Sequence, residues 1–392
     1  MKNISEKMFF LSYGIYLLYN IINTSFYSIY IYTYEKNIMI LCVVITIFGE
    51  MMSNRLSKKE LALLIICAIL LSILLLHING LSMFPLFFYI YTARNIDFKK
   101  ITKFTSIESS LILIFIILSA KLGIITNYEI VTIEFDIKRT RTYLGFRYPL
   151  FPQMILFNIT LCNLYVHKDK ISFIRCIFLI IINYWMFYYT NARLSFYLLI
   201  VLIMVLYFVS KHKTFLFKRK ILSYILIFSF PICSLFSVYI TSIYDSSNAL
   251  MNEMNELLGG RLMFGKKSLE EYEINLFGHD IQYIGAGLDI NGQRATGTYN
   301  FVDCLYINML EKYGIVFNVL FLCLLTTVLR KVWKGENYFL FIILVGLAFR
   351  GIIDNLEMYL YYNTFWLAIS EYYVKKHTRL IDKMKIERKS SI

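Results

Sequence analysis

Arginine is the residue type with the clearest chemical potential in this sequence, because arginines stand in the two hydrophilic stretches of an otherwise apolar chain. The stretches cover about 127–149 and 244–312. Their arginines are Arg139, Arg141, Arg147, Arg261 and Arg294. A guanidinium group stays charged at neutral pH and presents a planar fork of donors that matches phosphate oxygens. We therefore predict an anionic ligand such as a phosphate; pairing with nearby carboxylates or with lipid phosphate is the alternative.

Two further arginines border apolar segments. Arg193 follows Asn191-Ala192 in a turn of only a few residues between two apolar segments, and a guanidinium so close to hydrocarbon needs an anionic partner. Arg350 lies near the end of another apolar segment, with Asp354 one helical turn later. The spacing predicts an ion pair between Arg350 and Asp354, or an Arg350 side chain that extends to the membrane surface.

Proton acceptors lie in the second hydrophilic stretch. Asp303 stands where this stretch meets the next apolar segment, and partial desolvation there would raise the pKa of its carboxyl group. A helix-capping role is the alternative for Asp303. The imidazole pKa of His279 suits proton transfer, although His279 also fits a solvated loop. Asp280 and Glu311 are further acidic candidates.

The sequence lacks the motifs of several familiar chemistries. It has neither a GxxxxGK[ST] phosphate loop nor a GxSxG nucleophile elbow, and the outer stretches contain no DxD pair. Its 7 cysteines form no CxxC pair, and no cluster has metal-ligand spacing. We predict no metal site and no cofactor.

Composition predicts an all-α, polytopic membrane protein. Of the 392 residues, 58% are hydrophobic and only 17% are charged, a balance that excludes a soluble domain and a disordered chain. A membrane-spanning helix needs about 20 apolar residues. We predict twelve spans, at about 8–31, 38–52, 61–78, 80–92, 104–126, 150–167, 171–189, 194–210, 221–243, 313–329, 338–353 and 358–374.

Basic residues predict the orientation. Most of the 40 lysines and arginines fall in alternate connections and in the tail, so this side is cytoplasmic and carries both termini. The net charge of +14 is mainly a signal of this topology and gives no reason to expect nucleic-acid binding. The abundance of Ile, Lys and Asn is typical of an AT-rich bacterial genome, so we expect a bacterial cytoplasmic membrane.

These patterns divide the chain into four parts. They are residues 1–243 with spans one to nine and the outer basic loop, residues 244–312 as a large extracytoplasmic loop, residues 313–374 with the last three spans, and residues 375–392 as a basic cytoplasmic tail. In the large loop, Ser246 or Ser247 is predicted to cap an amphipathic helix that ends at Gly259-Gly260. A second helix is predicted to follow Arg261 and to end near Asn275.

Several local segments match one known family. They are Gly260-Arg261 followed by Leu276-Phe277-Gly278, the run Val302-Asp303-Cys304-Leu305-Tyr306-Ile307 with Glu311-Lys312-Tyr313-Gly314-Ile315, the run Arg141-Thr142-Tyr143-Leu144-Gly145-Phe146 with Pro149, and the turn Asn191-Ala192-Arg193. In their order, and with one long outer loop late in the chain, they resemble the Wzy-type polysaccharide polymerases, in the wider group that includes the O-antigen ligases. The ligase branch has His-Asn where Asp303-Cys304 stand here, which favours a polymerase.

The resemblance implies transfer of a growing glycan from a polyprenyl-pyrophosphate carrier to a second lipid-linked repeat unit, which produces capsular or other surface polysaccharide. The implied pyrophosphate ligands are Arg139, Arg141, Arg193 and Arg261, with Arg147 and Arg294 as additional candidates. Asp303, and His279 as second choice, would act as general base. The glycosyl-pyrophosphate bond would supply the energy, without ATP or metal.

Two other functions stay open at this point. One is a ligase of the same group, and the other is a flippase or transporter of lipid-linked oligosaccharides. Transporters usually have two similar halves with binding groups near the bilayer midplane, whereas this sequence has no internal repeat and gathers its polar residues in outer stretches. The expected partners are polyprenyl-pyrophosphate-linked oligosaccharides, membrane lipids, a flippase and a chain-length regulator.

Overall fold

The computed structural model describes residues 2–52, 83–134, 137–212 and 220–374. Its helices are α1 (Lys2–Asn23), α2 (Ser28–Ile31), α3 (Glu35–Met52), α4 (Phe84–Thr92), α5 (Phe98–Lys121), α6 (Phe151–Val166), α7 (Phe173–Thr190), α8 (Arg193–Lys211), α9 (Lys220–Ile227), α10 (Ser229–Ser242), α11 (Ala249–Leu257), α12 (Arg261–Glu271), α13 (Leu305–Lys334) and α14 (Tyr338–Arg350). Two antiparallel strands, β1 (Glu129–Glu134) and β2 (Ile137–Thr142), form a hairpin between α5 and α6.

The apolar helices are those of a membrane protein. Within the described residues, five helices are long and apolar enough to cross a bilayer: Ser28–Met52, Phe98–Lys121, Phe173–Thr190, Arg193–Lys211 and Leu305–Lys334. A sixth span results if α9 and α10, which meet at 65°, are taken together. Helices α6 and α14 are apolar but shorter. The helical class predicted from composition is therefore observed, whereas the prediction of twelve spans is not confirmed by the described residues.

The helices around the described core alternate in direction. Helices α6, α8 and α13 begin at the end of the molecule where α7 and α14 finish. At the opposite end, the Lys168 ammonium group lies 3.4 Å from Oδ1 of Asn337, whose amide donates to the Tyr372 hydroxyl at 2.9 Å. Alternation of this kind brings distant loops together at one end of the molecule.

Three predicted spans either fall outside the described residues or differ from a continuous helix. The span at 61–78 lies outside the described residues, and so does the start of the span at 80–92. The last span, 358–374, is not a continuous helix: this segment contains the 3-10 turn Thr364–Leu367 and the π turn Ser370–Val374. Polar side chains explain the correction, because buried groups such as Asn363 accept backbone N–H hydrogen bonds that a regular helix would use internally.

The hydrophilic stretch 244–312 folds largely as the sequence predicts. Helix α11 ends just before Gly259-Gly260, and α12 begins at Arg261. The cap is a correction: Asn248, rather than Ser246 or Ser247, accepts hydrogen bonds from the first N–H groups of α11. Asparagine caps well because its short side chain reaches the unpaired N–H groups of the first turn.

A kink divides α13 near its start. Gly314 has φ 78° and ψ 176°, a conformation that is essentially restricted to glycine. A Cβ atom there would collide with the backbone of Leu276 and Gly278. The carbonyl groups of Asn275 and Leu276 accept hydrogen bonds from the N–H groups that follow the kink, at 3.0 and 3.2 Å. The kink therefore attaches the hydrophilic stretch to α13, the helix that leads from this stretch into the apolar region.

Candidate functional site

A cavity of about 890 Å³ lies at the end of the molecule where α6, α8 and α13 begin. Its charged lining consists of Arg139, Arg141, Arg147, Arg193, Arg261 and Lys312 together with Asp289, Asp303 and Asp354. Six cations therefore face three carboxylates. A concave surface with this excess of positive charge attracts anions, because its low-dielectric walls concentrate the field.

The hairpin and the segment after it supply three of the cavity arginines. Arg139 and Arg141 stand two residues apart on β2, so they point to the same side of the strand. Arg139 is only 5% exposed, which places its charge inside the protein. Arg147 is fastened to the end of α1: its Nη2 donates to the carbonyl of Asn23 at 2.9 Å, and its backbone N–H donates to that of Thr24 at 2.9 Å.

Arg193 enters the cavity as the first residue of α8. The turn before it is tight because Asn191 adopts φ 51°, a left-handed conformation that asparagine tolerates better than most residues. Among the described residues, none makes a hydrogen bond or ion pair with the Arg193 guanidinium. A cation at a helix N-terminus, facing a cavity and without a protein counter-ion, is well placed to receive an anion.

Arg261 connects three parts of the cavity wall. Its Nε donates to the carbonyl of Ile353 at 2.8 Å, and its Nη1 donates to that of Leu258 at 2.6 Å. Its Nη2 lies 3.2 Å from Oδ2 of Asp303. Of the five N–H groups of a guanidinium, these contacts use three. Arg261 is therefore both a member of the cationic lining and the residue that fixes the position of Asp303.

Asp303 is the predicted base that the structure brings into this cavity. Its side chain is 23% exposed, and burial raises the pKa of its carboxyl group. Arg261 lowers this pKa by stabilising the charged form, whereas the nearby carboxylate of Asp354 raises it. A carboxyl group whose pKa is raised by burial, and which lines a cavity, can serve as a proton acceptor.

The ion pair predicted between Arg350 and Asp354 is confirmed. Nη2 of Arg350 lies 2.9 Å from Oδ2 of Asp354, and the Arg350 side chain is fully buried. Its guanidinium carbon also lies 4.2 Å from the centre of the Phe157 ring. The alternative of a side chain that reaches the membrane surface is therefore wrong. The pair holds Asp354 at the cavity wall.

The structure does not bring His279 into the cavity. Its Nε2 instead lies 2.6 Å from the carbonyl oxygen of Glu273 and 3.0 Å from the side-chain amide of Asn275. The imidazole of His279, the second-choice base, therefore stabilises the turn that follows α12. Arg294 is also absent from the lining, although it forms a backbone bridge with Leu288, which does line the cavity.

Sequence analysis missed most of the uncharged lining. Aromatic residues contribute Tyr148, Phe151, Phe264, Tyr283, Tyr299, Phe301 and Tyr359. Burial raises the pKa of Tyr148, and the carboxylate of Asp303 raises it further, so the Tyr148 hydroxyl stays protonated and can donate. Lys312 was also missed as a site residue. A usable signal was the presence of Tyr299 and Phe301 shortly before Asp303, because large aromatic side chains are unexpected in a hydrophilic stretch.

Comparisons with known proteins identify no relative. No family model, no curated protein and no solved structure matches this chain.

Proposed function

We propose that this protein is a membrane glycosyltransferase that polymerises lipid-linked oligosaccharide repeat units at the outer face of the bacterial cytoplasmic membrane. The observation that carries the proposal is the convergence of five arginines from four separate segments on one cavity, next to Asp303. So much positive charge suits a diphosphate, which presents several oxygens to planar guanidinium donors. Carrier lipids that end in a diphosphate present this group at the depth where membrane helices end.

The proposed reaction gives each of these groups a role. Arginines of the cavity, with Arg193 the most available, hold the diphosphate of the donor lipid and stabilise the charge that develops as the bond from the sugar carbon to the diphosphate oxygen breaks. A hydroxyl of the acceptor sugar attacks that carbon, and Asp303 accepts the hydroxyl proton. The products are a glycan longer by the transferred chain and a free carrier diphosphate.

The decisive test is substitution of Arg193. We expect Arg193→Ala to weaken binding of inorganic pyrophosphate to the purified protein by about ten- to a hundredfold, the range for a lost hydrogen-bonded charge. In cells the same variant should replace long surface glycans by single repeat units. Lys267→Ala is the matched control, because Lys267 is an exposed cation of α12 that does not line the cavity.

Each outcome bears on the proposal. Normal glycan chains from Arg193→Ala, at wild-type protein levels, would exclude the role assigned to the cavity. Purified protein in vesicles should lengthen lipid-linked glycans on one side of the bilayer. Movement of the lipid across the bilayer without elongation would favour a transporter, and transfer to an acceptor other than a repeat unit would favour a ligase.

A further inference from the structure

The cavity has a second kind of wall that the arginines do not explain. Its members, called here the aromatic wall, are Phe264 of α12 and Tyr283, Tyr299 and Phe301 of the loop before α13. The ring centres of Phe264 and Tyr299 lie 4.7 Å apart, and those of Tyr283 and Phe301 lie 5.6 Å apart. All four side chains are only partly buried, so ring surface remains open to the cavity.

The aromatic wall adjoins the proposed base. A Cβ atom on Gly260 would stand 3.1 Å from the ring of Phe264, so this ring lies directly against the turn that carries Arg261. Arg261 in turn contacts Asp303 at 3.2 Å. Phe301 precedes Asp303 by two residues and lines the same cavity. The aromatic wall and Asp303 therefore line neighbouring parts of one cavity.

The surroundings of the rings favour a sugar over a hydrocarbon tail. A lipid tail requires a continuous apolar surface, whereas Asp303 and the polar side chain of Asn308 line the same cavity as this wall. The small residues Gly285-Ala286-Gly287 also line the cavity. A pyranose has an apolar C–H face, which packs on aromatic rings, and a rim of hydroxyl groups, which needs polar partners.

We infer that the aromatic wall binds the terminal sugar of the acceptor repeat unit and that Phe264 and Tyr299 contribute to the choice of acceptor sugar. This inference rests on the proposed function, since it divides one cavity into a diphosphate part and a sugar part. The ring faces hold the C–H face of the sugar, and Asp303 receives the edge that carries the attacking hydroxyl.

The test separates the two parts of the cavity by their ligands. The sugar probe is the repeat-unit oligosaccharide, released by mild acid from the lipid-linked pool of the producing cells, and its binding to the protein in nanodiscs is followed by saturation-transfer NMR. The anion probe is inorganic pyrophosphate, followed by calorimetry. Phe264→Leu and Tyr299→Leu keep apolar volume but remove the ring faces, and Tyr299→Phe keeps the ring. Phe277→Leu is the matched control, because Phe277 is 66% exposed and lies outside the cavity lining.

We expect both leucine variants to weaken binding of the oligosaccharide by about three- to tenfold, the range for a lost aromatic stacking contact, and to leave pyrophosphate binding unchanged. Phe277→Leu should bind both probes as the wild type does, and Tyr299→Phe, which keeps the ring, should bind the oligosaccharide more tightly than Tyr299→Leu does. Wild-type oligosaccharide binding by Phe264→Leu and Tyr299→Leu would overturn the inference. A wild-type protein that binds pyrophosphate but not the oligosaccharide would overturn it while leaving the proposed function intact, whereas failure to bind either probe would remove both.

Discussion

At the scale of single residues, the contact between Arg261 and Asp303 determines how acidic the proposed base is. Burial raises the pKa of Asp303, and the guanidinium at 3.2 Å offsets part of that effect. Removal of the positive charge removes a stabilising influence on the carboxylate. The pKa of Asp303 must then rise further.

This gives a prediction for the pH dependence of the reaction. A base works only when ionised, so the rate falls as the pH drops through the pKa of Asp303. In Arg261→Gln the fall should begin at a higher pH than in the wild type, with kcat measured at saturating lipid-linked substrate. Lys267→Gln is the matched variant: it removes an exposed positive charge of α12 that does not line the cavity, so its pH profile should keep the wild-type position. Identical acidic limbs for Arg261→Gln and the wild type would show that Asp303 is not the titrating base.

A second residue-scale prediction concerns the buried pair Arg350–Asp354. Loss of one partner leaves the other charge buried without compensation, which typically costs about 3–5 kcal/mol. We expect Arg350→Met to lower the thermal unfolding temperature of the detergent-solubilised protein strongly, and the double variant Arg350→Met/Asp354→Leu to recover much of the loss. Additive losses in the double variant would contradict a coupled pair.

At the scale of secondary-structure elements, the kink in α13 holds the cavity loop in place. Gly314→Ala adds both a strained backbone conformation and a collision with the backbone of Leu276 and Gly278, so we expect a destabilisation of about 3 kcal/mol or more, measured by thermal unfolding. Gly123→Ala is the control, since Gly123 has φ 74° but nothing near its Cβ position. Its cost should be about 1–2 kcal/mol. Equal effects of the two variants would mean that the contact at the kink contributes little.

Elements also show how far sequence reasoning reaches. Long apolar runs predicted α7 and α8 within a few residues, because period and length alone specify a membrane helix. The double glycine predicted the break between α11 and α12 for the same local reason. The sequence analysis did not predict the hairpin, although Ile130 and Val131 lie in a strand-forming run, because the basic residues of β2 interrupt the apolar pattern that indicates a strand.

The site was predicted less completely than the helices, because its residues lie far apart in the sequence. Residue chemistry pointed to Arg193, Arg261 and Asp303, all of which line the cavity. The residue type alone does not predict that His279 contacts the carbonyl group of Glu273, because that contact depends on how the turn after α12 folds. The aromatic wall likewise becomes visible only when α12 and the loop before α13 are brought together.

At the scale of the whole molecule, the alternation of helices predicts which loops share a side of the membrane. Cysteine introduced at Asn291, in the loop near the cavity, should react with a membrane-impermeant maleimide in intact cells. Cysteine introduced at Lys170, at the other end of the molecule, should react only after permeabilisation. Both positions are exposed. Cys323→Ser serves as the background, because Cys323 is the exposed cysteine of the described part of the chain. The opposite labelling pattern would invert the predicted orientation.

The cavity is lined by residues from both halves of the chain, so exchange of either half would change it. Arg139, Arg141, Arg147 and Arg193 precede residue 212, whereas Arg261, Asp303 and Lys312 follow residue 220. Neither half of the chain therefore supplies the whole charged lining of the cavity. Recombination that replaces one half with the same half of a diverged protein would combine cavity residues of two different origins. We expect such hybrids to be active only where the residues of the two halves still pack together around the cavity.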